Sequence, residues 1–325
     1  MATGRSTRCL LGENEVGEHG IARSLAITAV ASALLLTCLL TACAEESSSA
    51  EGAVPRVSSS IYPVLTRYKV RKSPTARWKL PKGLNEVSGL AAATNGRLFA
   101  HDDERAVIYE ISVDDEDVTR KFRLGPKKLA GDFEGITIAE GSIFLVTSDG
   151  TFFQTPENAD GERVAYVTHS TGIGDICEIE GLGYEPLDRS LLLACKKTRG
   201  SDLEGGVAVF RWSLASHELS DPGLIWIPST AIEQHLQKKS FHPSGIVRHP
   251  LSGTYFILSA REHAVLEVTA TGEIVGAAEL KRNRHPHAEG IAILIEESGD
   301  YTLLIGDEGD DRRARITSYR LRDPK

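Results

Sequence analysis

The chain has 325 residues, of which 45 are acidic and 37 are basic, giving a formal net charge of −8. This acidic balance, with no basic stripe to offset it, argues against nucleic-acid binding and against electrostatic docking to anionic lipid headgroups. Roughly 280 residues follow the N-terminal 42, which is enough for one large all-β domain or two small domains.

The first 42 residues are typical of a lipoprotein signal peptide. Arg23 precedes an apolar run from Leu25 to Leu40 that is short for a membrane span. The next residues, "LTAC", resemble a bacterial lipobox, and this resemblance implies that Cys43 carries a lipid. An ordinary signal peptide with an incidental cysteine is the alternative. The Ser-rich residues 43–60 are then a flexible tether, and residues 61–325 are the folded domain.

The lipid on Cys43 would attach the protein to a membrane on the extracytoplasmic side of a bacterial cell envelope, with inner and outer membrane both open. Acyl chains contribute about 0.8 kcal/mol per buried methylene, so a multiply acylated cysteine anchors a protein stably. The membrane is therefore an expected partner through a covalent anchor, and nucleic acid is not an expected partner.

Two cysteines, Cys177 and Cys195, remain in the folded domain. If the intervening hairpin turns near Leu187 and Asp188, Cys195 falls opposite Gly181. That position is about four residues from Cys177, or roughly 13 Å at about 3.3 Å per residue. The distance is too long for a disulfide, so we expect free packing thiols, with a disulfide in an oxidising compartment as the alternative.

A short motif repeats five times, each time as a Glu or Ser, a glycine and an apolar residue. The glycines are Gly89, Gly135, Gly181, Gly245 and Gly290, at intervals of 46, 46, 64 and 45 residues. This is the spacing of β-propeller blades, and short strands follow each glycine. The sequence therefore predicts an all-β propeller of four-stranded blades. Five blades are expected, and a degenerate sixth within residues 178–241 is the alternative.

The two ends of the domain are predicted to meet in one blade. The last repeat supplies three strands, so residues 76–81 are expected to supply its fourth strand and close the ring. The 64-residue interval contains a helix signal, with Thr230 as the predicted cap, Glu233 reaching back, and Ile232 and Leu236 on one face. We expect a surface insertion there, with a lid over one propeller face as the alternative.

The residue before each repeat glycine is predicted to line the central channel, because the first strand of each blade is innermost. This glutamate ring comprises Ser88, Glu134, Glu180, Ser244 and Glu289. Three carboxylates at one narrow mouth repel one another, which raises their pKa values or requires a cation. Carboxylate and hydroxyl oxygens with no thiolate favour calcium. The sequence therefore predicts a calcium site at the ring.

Further polar residues are expected on the same face, because the second strand of each blade returns to it and because the residues just before the ring lie beside it. We call them rim residues: Asp149 and Asp307 follow second strands, and the residues just before the ring are Glu86, Asp132, Glu178, His242 and His287. The alternative is that the ring glutamates only lock the blades together. They would then bind backbone N–H groups at strand starts or pair with Lys196, Lys197 and Arg261.

Three stretches carry a family resemblance: "FHPSGIVRHPLSGTYFILSAREHAVLEVTATGEIVGAAEL", "ICEIEGLGYEPLDRSLLLACKK" and "HAEGIAI". Together they resemble the SdiA-regulated, YjiK-like family of bacterial envelope propellers over residues 76–320. The resemblance implies a propeller, an envelope location, a calcium ion on the channel axis and a distant relation to phytase-like propellers. It implies no established activity. The lipobox and the longer "GDEGDDRRARI" loop depart from the family.

Two function classes follow from these residues. A calcium-stabilised binding or scaffold module is favoured, acting as a monomer on an unidentified ligand or envelope protein. The alternative is a calcium-dependent hydrolase of phosphate esters or lactones. In that case His242, His285 or His287 would be the base, and Lys196 and Arg261 would hold an anion. The sequence has no nucleophile motif, and histidines beside proline are typical of turns.

Overall fold

The structure is a computed structural model that describes residues 62–156, 163–200, 203–309 and 312–323. The predicted signal peptide (1–42), Cys43 and the tether (43–60) lie outside these residues. In the described part of the chain, no helix has the length and apolar character needed to cross a membrane.

Five antiparallel sheets form the blades of a β-propeller, which confirms the all-β fold and the count of five blades. The first strand of the chain, β1 (Ala76–Lys79), belongs to the last blade. Blade 1 contains β2 (Val87–Ala92), β3 (Leu98–Asp102), β4 (Val107–Ser112) and β5 (Asp117–Leu124). Blade 2 contains β6 (Phe133–Ala139), β7 (Ser142–Thr147), β8 (Thr151–Pro156) and β10 (Val167–Ser170). Between β8 and β10, the short strand β9 (Arg163–Val164) pairs with β5 of blade 1.

The remaining blades follow the same order from the channel outward. Blade 3 contains β11 (Cys177–Glu185), β12 (Ser190–Thr198) and β13 (Gly206–Ser213), with two short outer strands, β14 (Glu218–Leu219) and β15 (Ile225–Pro228). Blade 4 contains β16 (Gly245–Arg248), β17 (Tyr255–Ser259), β18 (Ala264–Val268) and β19 (Ile274–Glu279). Blade 5 contains β20 (Ala288–Ile295), β21 (Tyr301–Asp307) and β22 (Arg315–Arg320), followed by β1.

The apolar residues of the strands are buried between blades. The first strands of successive blades contact one another around a closed ring, and five clusters of buried apolar residues fill the five gaps between neighbouring blades. Each blade is thus covered on both faces, which explains why its strands are apolar on both sides rather than alternating.

The ring closes as the sequence predicted. Strand β1 pairs antiparallel with β22, with Ala76 opposite Ser318 and Lys79 opposite Arg315. Trp78 of β1 is buried in the core between blades 5 and 1. The first and last strands of the domain therefore share one blade, and this joint leaves no open sheet edge between them.

Residues upstream of β1 form a segment that we call the N-terminal clasp (residues 64–70). It contains a short 3-10 helix, Leu65–Tyr68, whose apolar side chains join the core between blades 4 and 5. The carboxylate of Glu267, fully buried in β18, accepts hydrogen bonds from the N–H groups of Val64 and Leu65 at 2.8 to 3.0 Å. A second 3-10 helix, Lys82–Leu84, connects β1 to blade 1.

The long interval between the third and fourth repeats contains the helix α1, Ser229–Leu236. Ile232 and Leu236 are buried in the core between blades 3 and 4, as predicted. The predicted capping role of Thr230 is wrong, because the helix begins two residues earlier than that cap requires and Pro228 occupies the cap position without a side-chain bond. The helix packs on the outer strands β15 and β19, so it is a surface insertion and not a lid over the channel.

The expectation of free thiols is also wrong, because Cys177 and Cys195 form a disulfide with a Cα–Cα distance of 5.6 Å. A regular hairpin would keep these residues apart. The β11–β12 ladder instead contains two register shifts, so Cys195 lies opposite Ile179 and Gly181 lies opposite Ala194. These irregularities bend the strands locally and bring the two sulfur atoms together.

Candidate functional site

A β-bulge positions the ring residue in four of the five blades. On the innermost strands β2, β6, β11 and β20, one extra residue lies between two successive paired residues of the ladder. The extra residues are Ser88, Glu134, Glu180 and Glu289. A bulge re-aims the side chain of its unpaired residue, and here each one lines the same narrow cavity on the channel axis.

The fifth ring residue, Ser244, lies one position before β16 and lines the same cavity. Its hydroxyl donates to the carbonyl of Ala288 at 2.7 Å and accepts from the N–H of Ala260 at 3.1 Å. Ser244 therefore ties blade 4 to blade 5. The structure brings all five predicted ring residues together, but it gives this serine a blade-joining contact.

The repeat glycines are explained by close approach between neighbouring inner strands and not by a positive φ angle. A Cβ atom on Gly135 would lie 2.7 Å from Cβ and 2.8 Å from N of Leu182 in the next blade. On Gly181 it would lie 3.1 Å from the backbone of Gly245. Any larger residue would push the blades apart, so glycine keeps the channel narrow.

Charge at the ring is unbalanced. Glu180 is buried and contacts the ammonium of Lys196, which is the unpaired residue at the neighbouring register shift of the same β11–β12 ladder. Glu134 accepts a hydrogen bond from Ser88 at 3.4 Å. In the described residues, the recorded partners of the ring glutamates are side chains, and none is a backbone N–H.

Burial raises the pKa of Glu134 to about 9, with further contributions from Glu180 and Asp132. Burial also raises the pKa of Glu180, although Lys196 and a hydrogen bond from Glu134 oppose that shift. The pKa of Glu289 is raised to about 7 by burial and by the charge of Glu180. At neutral pH, Glu134 therefore keeps its proton and the ammonium of Lys196 pairs with Glu180, while Glu289 is close to its pKa and partly ionised.

Two acidic rim residues, one just before β6 and one in the β7–β8 loop, form hydrogen bonds with the end of β7 and with the β7–β8 loop. Asp132 accepts a hydrogen bond from Ser148, and Asp149 accepts from Thr147 Oγ1 at 2.6 Å and from the N–H of Thr151 at 3.0 Å. Asp149 is therefore held by its own turn, while Asp132 also contributes to the raised pKa of the ring residue Glu134.

Two other rim residues differ in their access to the channel. Glu178 lies 4.0 Å from the ammonium of Lys196, close to the ring. Asp307 is buried and accepts from His285 Nδ1 at 2.8 Å, while His285 Nε2 lies 2.7 Å from the hydroxyl of Tyr319. His285 is fully buried in this arrangement. It is therefore excluded as a base acting on a bound substrate.

Glu86 belongs to a separate acidic cluster. Among the described residues, Glu86, Asp102 and Asp103 offer carboxylate oxygens within 4.8 Å of one another, a spacing that the ring glutamates do not meet as a set. Both oxygens of Asp102 are hydrogen-bonded by Arg105, which supplies a counter-charge. Burial, followed by Glu86 and Asp102, raises the pKa of Asp103 to about 6.

A second cavity opens beside the ring between blades 4 and 5. It has a volume of about 320 Å³, and its polar lining residues are Lys196, His242, Ser244, Arg261, His263, His287 and Glu289. The loop before β16, the β17–β18 loop and the segment before β20 supply most of this lining. We call it the lateral cavity. It shares Ser244 and Glu289 with the ring cavity, so the two sites adjoin.

The donor set of the ring fits a hard divalent cation. Its side-chain donors are oxygens, and the ring cavity measures only about 10 Å³. Glu134 and Glu180 are hydrogen-bonded to each other and would hold such an ion. Glu289 lines the same cavity and would add a third carboxylate.

Sequence reasoning located the ring and gave pairing of its glutamates with Lys196 as an alternative, but it missed two features beside the ring. These are the bulges and the role of His263 in the lateral cavity. A signal for the bulges was available in the repeated Glu/Ser-Gly pair, since bulges are common next to glycines and functional sites. Neither Lys196 nor His263 belongs to the repeat, so spacing alone could not place them.

No known family model matches the chain. A search of characterised proteins likewise finds no match.

Solved structures share the fold. A glutaminyl cyclase from Myxococcus xanthus aligns with a TM-score of 0.51 at 16% identity, over 76% of this chain and 95% of that one. The PQQ-bound aldose sugar dehydrogenase from Streptomyces coelicolor aligns with a TM-score of 0.44 at 13% identity, over 77% and 99% of the two chains. At such identities the likeness shows the fold alone. The chain is a five-bladed β-propeller whose narrow axial cavity is lined by three glutamates.

Proposed function

We propose that the chain is a bacterial cell-envelope lipoprotein whose propeller binds calcium at the glutamate ring. In this role it is a binding or scaffold module for an unidentified ligand or envelope protein. The observation that carries the proposal is the convergence of Glu134, Glu180 and Glu289, each placed by a bulge, around the single ammonium of Lys196. The resemblance to the SdiA-regulated family supports the same reading.

The bulges favour a cation site over a purely blade-locking role. A locking glutamate would accept hydrogen bonds from backbone N–H groups at strand starts, as Glu267 does in the clasp. The described ring glutamates instead contact Ser88, Lys196 and each other, so the pairing with Lys196 is the one contact expected of the locking role that they make. A bound calcium ion would supply a double positive charge at this mouth, where Glu134, Glu180 and Glu289 would hold it in their ionised form in place of the proton and of Lys196.

Calcium binding is tested by thermal melts of the purified full-length protein in calcium and in chelator. A ligand that binds only the folded state stabilises it by about 2.7 kcal/mol at a hundredfold excess over Kd, so calcium should raise the melting temperature by several degrees. Glu134→Gln imitates the protonated carboxyl, so it should cost little stability in chelator and remove most of the calcium-dependent increment.

The matched control is Glu233→Gln, which removes one carboxylate from an exposed position on α1. It should retain the full calcium increment. A wild-type melting temperature that does not respond to calcium would refute the proposed site. Equal destabilisation of Glu134→Gln in calcium and in chelator would favour the blade-locking role.

The membrane anchor is tested at Cys43. The lipobox-like "LTAC" implies acylation of this cysteine, so Cys43→Ser should abolish metabolic labelling with a radioactive fatty acid. The variant should leave the membrane fraction or remain attached through an uncleaved signal peptide. Undiminished labelling of the variant would contradict the lipoprotein assignment.

A calcium-dependent hydrolase of phosphate esters or lactones is the second candidate, and the lateral cavity is the observation that favours it. His242 and His263 both line the cavity next to the ring. His242 Nδ1 lies 2.9 Å from Glu262, and His263 Nδ1 donates to the carbonyl of His285 at 3.1 Å, so Nε2 of each ring is the remaining proton acceptor. Assays of the full-length protein against phosphomonoesters, inositol phosphates and lactones, with and without chelator, test this candidate.

A further inference from the structure

The lateral cavity has the size and the lining of a small-molecule site. Its volume of about 320 Å³ lies at the lower end of the range of ligand pockets. Pro243, Pro286 and Ala260 form apolar walls, while Lys196 and Arg261 place two permanent cations at its polar side. An apolar wall with a few convergent charged groups suits an organic molecule that carries one anionic group.

The histidines of the cavity are arranged as hydrogen-bonding groups and not as a metal cage. His242 is fixed by Glu262 through Nδ1, and Arg261 approaches its Nε2 at 3.4 Å. In the described residues, no three of the cavity's histidine and glutamate side chains bring ligand atoms within 4.8 Å of one another. The cavity therefore recognises a ligand through cationic donors, and a guanidinium beside a lysine suits an oxyanion.

We propose that the lateral cavity binds the oxyanion group, phosphate or carboxylate, of a small organic ligand, and that Lys196 couples this site to the glutamate ring. The coupling rests on the proposed calcium site, whereas the oxyanion site rests on the cavity alone. Lys196 lines the lateral cavity, and its ammonium contacts Glu180 of the ring. A divalent cation at the ring repels the ammonium, which then turns towards the lateral cavity and strengthens anion binding there.

The experiment measures binding of sulfate and of acetate to the purified full-length protein by calorimetry, in calcium and in chelator. Sulfate stands in for phosphate because it stays dissolved with calcium. Arg261→Gln should weaken binding of the preferred anion roughly tenfold, the effect of losing one charge-assisted contact. Arg282→Gln is the matched control, since Arg282 is exposed nearby without lining the cavity, and it should bind as the wild type does.

Lys196→Met tests whether Lys196 couples the ring to the lateral cavity. Without the ammonium, calcium should bind the ring more tightly and the anion should bind the cavity more weakly, so the two affinities move in opposite directions. Lys197→Met removes the same charge one residue away and should change neither affinity. In the wild type, calcium should tighten anion binding, and the anion should tighten calcium binding by the same factor.

The outcomes distinguish this proposal from the proposed function. If calcium binds but neither anion binds, or if Arg261→Gln binds both anions as the wild type does, the oxyanion site is refuted and the calcium module stands. If an anion binds in an Arg261-dependent manner but calcium does not bind, the oxyanion site stands and the coupling fails. A preference for sulfate indicates a phosphate ligand, and a preference for acetate indicates a carboxylate ligand.

Discussion

At the scale of single residues, a β-bulge determines whether the side chain of a glutamate follows the pattern of its strand or lines the central channel. Phe133 precedes Glu134, and Ile136 follows it after Gly135. Both apolar residues are buried between blades. Because Glu134 is the unpaired residue, its side chain leaves this apolar pattern and reaches the axial cavity. The same device places Glu180 and, on the opposite strand, Lys196, so the ion pair between them follows from backbone irregularity.

The raised pKa of Glu134 predicts a pH dependence of stability. Its ordinary value is 4.5 and its value in the fold is about 9, so between these limits the folded state binds one more proton than the unfolded state. Stability contributed by this proton is complete below pH 4.5, and it falls as the pH rises towards about 9. In chelator, the melting temperature of the wild type should decrease over this window relative to that of Glu134→Gln.

Thermal melts of both proteins at a series of pH values check this expectation. The difference between them should be smaller in calcium, because a bound cation favours the ionised carboxyl. Parallel curves for the two proteins in chelator would show that Glu134 does not titrate in this way.

The ring positions were predictable because five equivalent blades repeat one residue pattern, and repetition reveals symmetry without any knowledge of contacts. The disulfide was not predictable by the same counting. Counting residues along a regular hairpin assumes a constant register, and the irregularities at Glu180 and Lys196 break that assumption between Cys177 and Cys195. The register shifts that place Glu180 and Lys196 at the site are thus also the reason why a prediction from regular strand pairing fails here.

At the scale of elements, the N-terminal clasp is the part of the fold that the repeats did not indicate. It lies upstream of the first motif and pairs with no strand, so strand spacing carries no information about it. A weak signal existed in β18, where Glu267 is the one charged residue in the sequence "AVLEV". A carboxylate in a strand buried on both sides requires donors, and here the clasp and Thr254 provide them.

Glu267→Gln is therefore expected to destabilise the protein. The carboxylate accepts bonds from the N–H groups of Val64 and Leu65 and from the hydroxyl of Thr254, whereas an amide would point its own N–H at some of these donors. Leaving buried donors unsatisfied costs about 1–3 kcal/mol each. Urea denaturation should show a loss of at least that size, and Glu273→Gln, at an exposed turn, is the control. An unchanged denaturation midpoint for Glu267→Gln would show that the clasp is not held through this carboxylate.

At the scale of the whole molecule, stability is shared around the ring. Each of the five apolar clusters lies between two blades, so each hydrophobic core is shared by two neighbouring blades. The sequence predicted this architecture because blade length and strand number are properties of the repeat. The joint between β1 and β22 was predictable because the last repeat supplies only three of the four strands that a blade needs.

Deleting residues 62–82 should destabilise all five blades together. The deletion removes β1, including the buried Trp78, and also the clasp, so two of the five inter-blade cores lose apolar residues. Because neighbouring blades stabilise one another, hydrogen exchange should increase in blades 2 and 3 as well as in blades 4, 5 and 1. Faster exchange confined to the blades that contact the deleted segment would show that the blades unfold independently.

The pairing of β1 with β22 also sets an order of events during synthesis. Residues 76–79 emerge from the ribosome well before their partners, residues 315–318. Contacts between such distant segments are slow to form, because a long stretch of chain must close into a loop first. The N-terminal strand therefore has no partner in its blade until residues 315–318 have been made. The ring of blades stays open until that late joint forms.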